Sequence, residues 1–279
     1  MNRTQLLELI RRKKSFLCVG LDPDYNQFPQ SLPHTLDGIR QFLSDIIEVT
    51  VPHAVAYKLN TAFFEALGPD GWSFFWQITE LLPPDVLVIA DAKRGDIGSS
   101  AAKYAEAFFL RNGKPSRIDA LTVFPYMGQD SVSPFLQYEG KWVALLALTS
   151  NSGAEDFQLK HLSRGTMLFE EVVLTSQQWG NIDNLMYVVG ATRPELLRRV
   201  RALAPQHVLL VPGIGHQGGS LAAVAEAALT ASGPVLAAVS RSILYASSDN
   251  TYKDAAAAAV QNLQEYMKFV LNKTEGTDS

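Results

Sequence analysis

The stretch VLVIADAKRGDIGSS, residues 86–100, places two aspartates and a lysine at the end of an apolar run. Alternate residues of a β-strand share one face. Leu87, Ile89, Asp91 and Lys93 therefore point the same way, and Asp96 follows three residues later, in a loop or at a helix start. The run HAVAYKLN, residues 53–60, brings Lys58 to the end of another strand, with Ala54 and Ala56 on its side. Isolated ions at such a place would be costly, so two lysines and two aspartates must alternate in sign. An ammonium fixed among carboxylates can stabilise negative charge that develops in a transition state, and can then supply a proton. The same residues could instead form a structural ion network, with Asp96 capping the next helix.

A second group suits an anion. Val211-Pro212-Gly213-Ile214-Gly215-His216-Gln217-Gly218-Gly219 follows an apolar run and opens a helical pattern. Backbone amides at a helix start bind phosphate, and Arg241, at the end of the last apolar run, can pair with it bidentately. Gly213, Gly215 and Gly218 also satisfy G-x-G-x-x-G, which elsewhere marks dinucleotide binding. That motif belongs early in a βαβ unit, with an acidic residue about 20 residues on. Here it comes late and the next strand ends Ser240-Arg241, so a phosphate loop is the better reading. His216 is read as a solvated loop residue. Thr192 ends another run, where it would line the site or cap the helix beginning at Arg193-Pro194.

Eight short apolar runs must position these groups, at 15–22, 53–60, 86–93, 120–125, 142–149, 185–192, 207–213 and 235–241. Helical patterns follow them, such as TLDGIRQFLSDIIEV after the first and SLAAVAEAALTA after the seventh. Near-continuous apolar strands alternating with helices indicate a covered parallel sheet. Eight such units predict an α/β fold, a (β/α)8 TIM barrel, with a doubly wound sheet as the alternative. Active sites of that barrel form at the C-terminal strand ends, and Asp22, Lys58, Asp91, Lys93, Ser150, Thr192 and Arg241 all fall there. His53 and His207 begin their strands and are read as structural.

The whole chain fits this scheme. It has 279 residues, 24 basic against 28 acidic, 47% hydrophobic and 19% charged. Those values exclude a disordered chain, a collagen-like chain and a disulfide scaffold. The net charge of −4 argues against general nucleic-acid binding. The single cysteine, Cys18, sits in an apolar run and reads as a buried small hydrophobe. No apolar stretch reaches the roughly 18 residues of a membrane span. MNRTQLLELIRRKKS reads as an extra N-terminal amphipathic helix whose basic residues follow its apolar ones, the reverse of a signal peptide, so a cytoplasmic location is expected. The alanine run 255–259 suits a helix. One domain is expected over 1–272, with a polar, frayed tail over 273–279.

The D-x-K-x-x-D pattern after an apolar strand, with the upstream Lys58-Leu59-Asn60 strand end, resembles the orotidine 5′-phosphate decarboxylase family. YKLNTAFFEALG (57–68) and TVFPYMGQDSVSPFL (122–136) are similar to its longer bacterial subfamily, and the resemblance runs over residues 15 to 245. It implies a decarboxylase that turns orotidine 5′-monophosphate into uridine 5′-monophosphate with no cofactor and no metal, working as a homodimer without nucleic acid or membrane. Lys58, Asp91, Lys93 and Asp96 match the family's charged tetrad. Within it, Lys93 matches the proton donor to C6, Asp91 the aspartate near the substrate carboxylate, and Asp96 the one reaching into the other subunit's site. Asp22 and Lys58 match ribose contacts, Ser150 the serine that reads the pyrimidine, and Gln217 and Arg241 the phosphate ligands. Ser150 also reads as a turn serine. Ser100 stands where the family usually has threonine, Ser152 where proline is common, and Ser240 where glycine often precedes the arginine. Two rivals remain: a metal-dependent phosphosugar decarboxylase or aldolase, and a nucleotide-binding barrel without catalysis.

Overall fold

The computed structural model describes residues 1–215 and 217–276. His216 and residues 277–279 lie outside them. Eight parallel strands close into a barrel in sequence order: β1 (Leu17–Gly20), β2 (Ala54–Asn60), β3 (Leu87–Arg94), β4 (Ala120–Val123), β5 (Trp142–Leu148), β6 (Leu185–Val189), β7 (Leu209–Pro212) and β8 (Val235–Val239). β8 returns to β1, with Ala237 beside Leu17. The closed ring removes the doubly wound alternative.

Each strand is buried on both faces. Outward residues such as Tyr57, Val88, Leu121 and Tyr187 pack under the helices, while Cys18, Leu87, Ile89, Ala144 and Leu210 fill the barrel. Cys18 is fully buried there, and burial pushes its thiol up to about 12. In chain order the helices are α1 (Arg3–Lys13), α2 (Leu36–Thr50), α3 (Thr61–Glu65), α4 (Gly68–Leu81), α5 (Gly98–Phe109), α6 (Gln129–Leu136), α7 (Ala154–Phe157), α8 (Leu168–Ser176), α9 (Pro194–Leu203), α10 (Leu221–Ala228), α11 (Arg241–Leu244) and α12 (Tyr252–Gly276). In the outer layer α2 follows β1, α5 follows β3, α9 follows β6, α10 follows β7 and α11 follows β8.

The additional N-terminal helix, Arg3–Lys13, is a plug. Asn2 and Gln5 form a capping box at its start. Leu6, Leu9 and Ile10 are buried and close the N-terminal end of the barrel against Leu87, Trp142 and Val208. Each fully buried side chain of this kind contributes about 1.5–3 kcal/mol. Chemistry is thereby confined to the opposite end. His53 and His207 lie on the plugged side, as expected from their places at strand starts. The Arg201 guanidinium there donates to the carbonyls of Ala204, His207, Ala228 and Pro234 within 2.9 Å.

Three local features differ from the sequence reading. Ala54 packs in the outer layer, not with Ala56 and Lys58, because the pairing of β1 with β2 jumps from Leu17–Ala54 to Cys18–Ala56. A small antiparallel hairpin pairs Leu110–Arg111 with Lys114–Pro115. Its Asn112-Gly113 turn has both φ angles positive, the geometry that this dipeptide favours. Finally, the helix Tyr252–Gly276 carries the Ala255–Ala259 run and extends through residues 273–276, where a frayed tail was expected. The run from Tyr252 contains no proline and no glycine before Gly276, so nothing breaks the helix at 272. The remainder of the expected tail, 277–279, lies outside the described residues.

Candidate active site

A cavity of about 480 Å³ opens at the C-terminal end of the barrel, lined by Asp22, Lys58, Asp91, Lys93, Ser150, Gln217 and Arg241 among others. That volume suits a small-molecule ligand. Its charged wall is a row of alternating sign. Lys58 Nζ stands 3.8 Å from Asp22 Oδ1 and 3.1 Å from Asp91 Oδ2, and Lys93 Nζ stands 2.6 Å from Asp91 Oδ1. Leu87, Ile89 and Asp91 share the inward face of β3, as the alternation requires.

Burial divides the roles. The side chain of Lys58 is 10% exposed and that of Lys93 is 42% exposed. Burial works against the charge on Lys58, but Asp22 and then Asp91 outweigh it and hold its pKa above the ordinary lysine value. Burial likewise works against ionised Asp91, but Lys58 and then Lys93 hold its carboxyl well below the usual range. Lys58 and Asp91 are therefore a fixed ion pair, and Lys93 is the ammonium that reaches open space.

Lys93 also has an unusual backbone. Its φ is +47°, in the left-handed region, which costs a residue with a Cβ about 1–2 kcal/mol. Outliers of this kind gather at functional sites, where surrounding contacts enforce them.

Asp96 and Ser100 are not brought into this cavity. Asp96 is half-buried in the loop after β3, accepts a hydrogen bond from Ile97 N at 2.8 Å, and makes no ion pair among the described residues. It does not cap α5, whose N-cap is Ile97. Ser100 is exposed on the first turn of α5. Around them Ile97, Tyr104, Phe124, Tyr126 and Met127 are all large, apolar and exposed. In the single chain the sign alternation is completed by Asp22, at the other end of the row.

The opposite wall holds Ser150, Gln217 and Arg241. The Ser150 hydroxyl donates to Gln217 Oε1 at 2.9 Å, which links the loops after β5 and β7 across the cavity mouth. Two glycines permit this. Gly190 lies so close under Ser150 that a Cβ would come 2.8 Å from its amide nitrogen. Gly213 has φ +96°, and a Cβ there would meet Gln217 Oε1 at 2.8 Å. The loop folds on itself through Gly215 N to Gly219 O (2.8 Å) and leads to Ser220, which caps α10. Ser240 has φ −123°, so a side chain is tolerated where the resemblance suggested glycine. Ser152 is exposed in a turn. Thr192 neither lines the cavity nor caps α9, whose N-cap is Arg193.

Several lining residues escaped the sequence reading. Thr122 at the end of β4 is one. Its signal was a polar residue two positions after Ala120, on the inward face. Tyr245 is another: its hydroxyl donates to Asp22 O at 3.0 Å and accepts from Asp24 N at 2.7 Å. It thereby ties the segment after β8 to the loop that carries Asp22. No sequence pattern announced that contact.

The chain as a whole is similar to known proteins. The sequence model described as the orotidine 5′-phosphate decarboxylase / HUMPS family matches residues 15–258. The orotidine 5′-phosphate decarboxylase of Phocaeicola vulgatus is 47% identical over 274 residues, covering 97% of this chain and 99% of its own. Among solved structures, the OMP decarboxylase of Leishmania donovani is 36% identical with a TM-score of 0.82, over 95% of this chain and 98% of its own. The UMP synthase of the same organism is 37% identical with a TM-score of 0.83, but this chain spans only 56% of its length.

Proposed function

Since the chain belongs to the orotidine 5′-phosphate decarboxylase family, we propose that the row of alternating charges at its barrel mouth is the apparatus for its reaction. The chain is a carboxy-lyase that converts orotidine 5′-monophosphate into uridine 5′-monophosphate and carbon dioxide, a step of pyrimidine biosynthesis. The observation that carries the assignment of its parts is the 2.6 Å pair between Asp91 and the exposed ammonium of Lys93.

Loss of carbon dioxide leaves the bonding electron pair on C6 of the pyrimidine, with no ring sink to delocalise it. Lys93 supplies the compensating charge. An ammonium about 4 Å from the developing carbanion is worth about 4 kcal/mol at an effective dielectric near 20. That charge exists only as the bond breaks, so the interaction accelerates the reaction and does not merely tighten binding. A proton then passes from Lys93 Nζ to C6, and solvent returns one to the lysine. Asp91 faces the departing carboxylate and aims the ammonium. Lys58 keeps Asp91 ionised and, with Asp22, meets the ribose. Ser150 reads the pyrimidine, and Gln217 and Arg241 hold the phosphate. None of these steps calls on a cofactor. A divalent ion bound between Asp22 and Asp91 would compete with the Lys58 ammonium already there.

Asp96 and Ser100 fit a homodimer in which each reaches the partner's cavity. The exposed apolar residues around Asp96 support that reading, since such patches mark interaction surfaces. A cytoplasmic location goes with this role. Among the described residues no helix is long and apolar enough to cross a membrane.

The test is the ultraviolet absorbance of orotidine 5′-monophosphate mixed with purified protein and excess EDTA. Loss of the orotate band, with uridine 5′-monophosphate as product, is expected. An unchanged band from folded protein, beside a working positive control, would refute the assignment. Activity that disappears only when EDTA is added would favour metal chemistry instead.

A further inference from the structure

Lys93 sits in a backbone irregularity, and one neighbouring side chain holds it. β3 and β4 pair as Ile89–Ala120 and Ala90–Leu121, and then the register jumps to Arg94–Val123. Asp91, Ala92 and Lys93 thus stand where β4 offers only Thr122. An interrupted ladder leaves backbone groups without partners, and a buried amide left so is costly. The Lys93 amide instead donates to the hydroxyl of Thr122 at 2.8 Å. The same hydroxyl donates to Asp91 Oδ1 at 3.0 Å, the oxygen that takes the Lys93 ammonium at 2.6 Å. Both ends of Lys93, amide and ammonium, are therefore anchored to one hydroxyl–carboxylate pair. Thr122 is itself only 2% exposed, on a strand that fixes its backbone.

We propose that Thr122 is a positioning residue for the decarboxylation. Its hydroxyl replaces the missing ladder partner, stabilises the left-handed turn at Lys93, and sets Asp91 so that the ammonium faces the reacting carbon. A hydroxyl suits the place because it accepts from the amide and donates to the carboxylate at once. The β-branched side chain limits its rotamers within the strand. Valine has the same shape and does neither. The proposal rests on the reading of Lys93 as the proton donor.

The experiment compares Thr122→Val and Thr122→Ser with the unmodified protein. It records kcat and KM for orotidine 5′-monophosphate and amide hydrogen exchange at Lys93. Loss of a hydrogen bond to a charged group predicts that Thr122→Val lowers kcat roughly 10- to 100-fold. KM should move by no more than about twofold, because positioning of the reacting group matters mainly in the transition state. Exchange at the Lys93 amide should quicken in Thr122→Val, and Thr122→Ser should restore most of both. Unmodified kcat and exchange in Thr122→Val would overturn the proposal. So would Thr122→Ser failing as badly as Thr122→Val, since packing and not the hydroxyl would then be the cause. If Thr122→Val does not fold, Thr122→Ala against Thr122→Ser isolates the same hydroxyl, with the same contrast expected. An inactive unmodified protein would strike the functional reading, whereas an active one with an indifferent Thr122 strikes this proposal alone.

Discussion

Removing the cation from the middle of the charged row should unsettle the fold as well as the reaction. Lys58→Met keeps an unbranched side chain of similar length and deletes only the charge. At 3.1 and 3.8 Å, the attractions of Lys58 to Asp91 and Asp22 are roughly 5 and 4 kcal/mol at an effective dielectric of 20. Much of that offsets the burial of the lysine itself. Losing one partner of a buried pair leaves a net cost of about 3–5 kcal/mol. At about 2–4 °C per kcal/mol for a large domain, Lys58→Met should melt roughly 10 °C below the unmodified protein at pH 7. The pH dependence follows with a definite sign. Asp91 has its folded pKa depressed, so its ionised form contributes stability above the ordinary carboxylate value, and this is lost as pH falls. Without Lys58 that depression weakens. The gap between variant and parent should therefore persist down to about pH 4 and narrow below it. Adding Asp91→Asn to Lys58→Met should recover about 1–3 kcal/mol of stability without restoring turnover. Thermal melts across pH, read by circular dichroism, make the measurement. A Lys58→Met melt within about 1 °C of the parent at pH 7 would mean that the two carboxylates do not depend on Lys58.

Arg241→Ala should weaken binding of uridine 5′-monophosphate far more than binding of uridine, by a factor of roughly 10 or more for a charge-assisted contact; titration calorimetry reads this, and equal losses would remove Arg241 from the phosphate site. Mixing inactive Lys93→Ala and Asp96→Ala chains should restore part of the activity through hybrid dimers. No restoration, with subunit exchange verified, would count against a shared site. His207 is held at about 4, by burial first and then by Arg201 and Arg3, so the unfolded chain takes up a proton before the folded one does. Its neutral ring contributes stability above about pH 6.5 that is lost as pH falls towards 4, on the order of 3 kcal/mol in all. His207→Leu should flatten the melting temperature between those pH values, and an unchanged slope would contradict that.

The barrel was legible because its strands are buried on both faces. Each therefore appears as a continuous apolar run, and each run stops where the cavity begins. Lys58, Asp91 and Lys93 were legible for the same reason, through strand alternation. The irregularities were not. Ala54 left its expected face at a skipped residue, and nothing in HAVAYKLN marks where pairing slips. The left-handed turn at Lys93 carries no glycine to announce it, because a tertiary contact from Thr122 compensates the strain. The Asn112-Gly113 hairpin did carry a signal, but its strands are too short to show alternation. The N-terminal helix was readable as amphipathic, yet its role as a plug depends on Leu87, Trp142 and Val208 from distant strands. Asp96 and Ser100 were singled out by resemblance, and a single chain leaves them outside its own cavity.

Whether the Lys93 ammonium stabilises and protonates C6 is decided by Lys93→Ala. The variant should be assayed for turnover of orotidine 5′-monophosphate beside its melting temperature and its affinity for uridine 5′-monophosphate. It should fold and still bind the product nucleotide, while its turnover falls below detection. Substantial decarboxylation by folded Lys93→Ala would contradict that role of Lys93, and would move the proton and the charge stabilisation to another group.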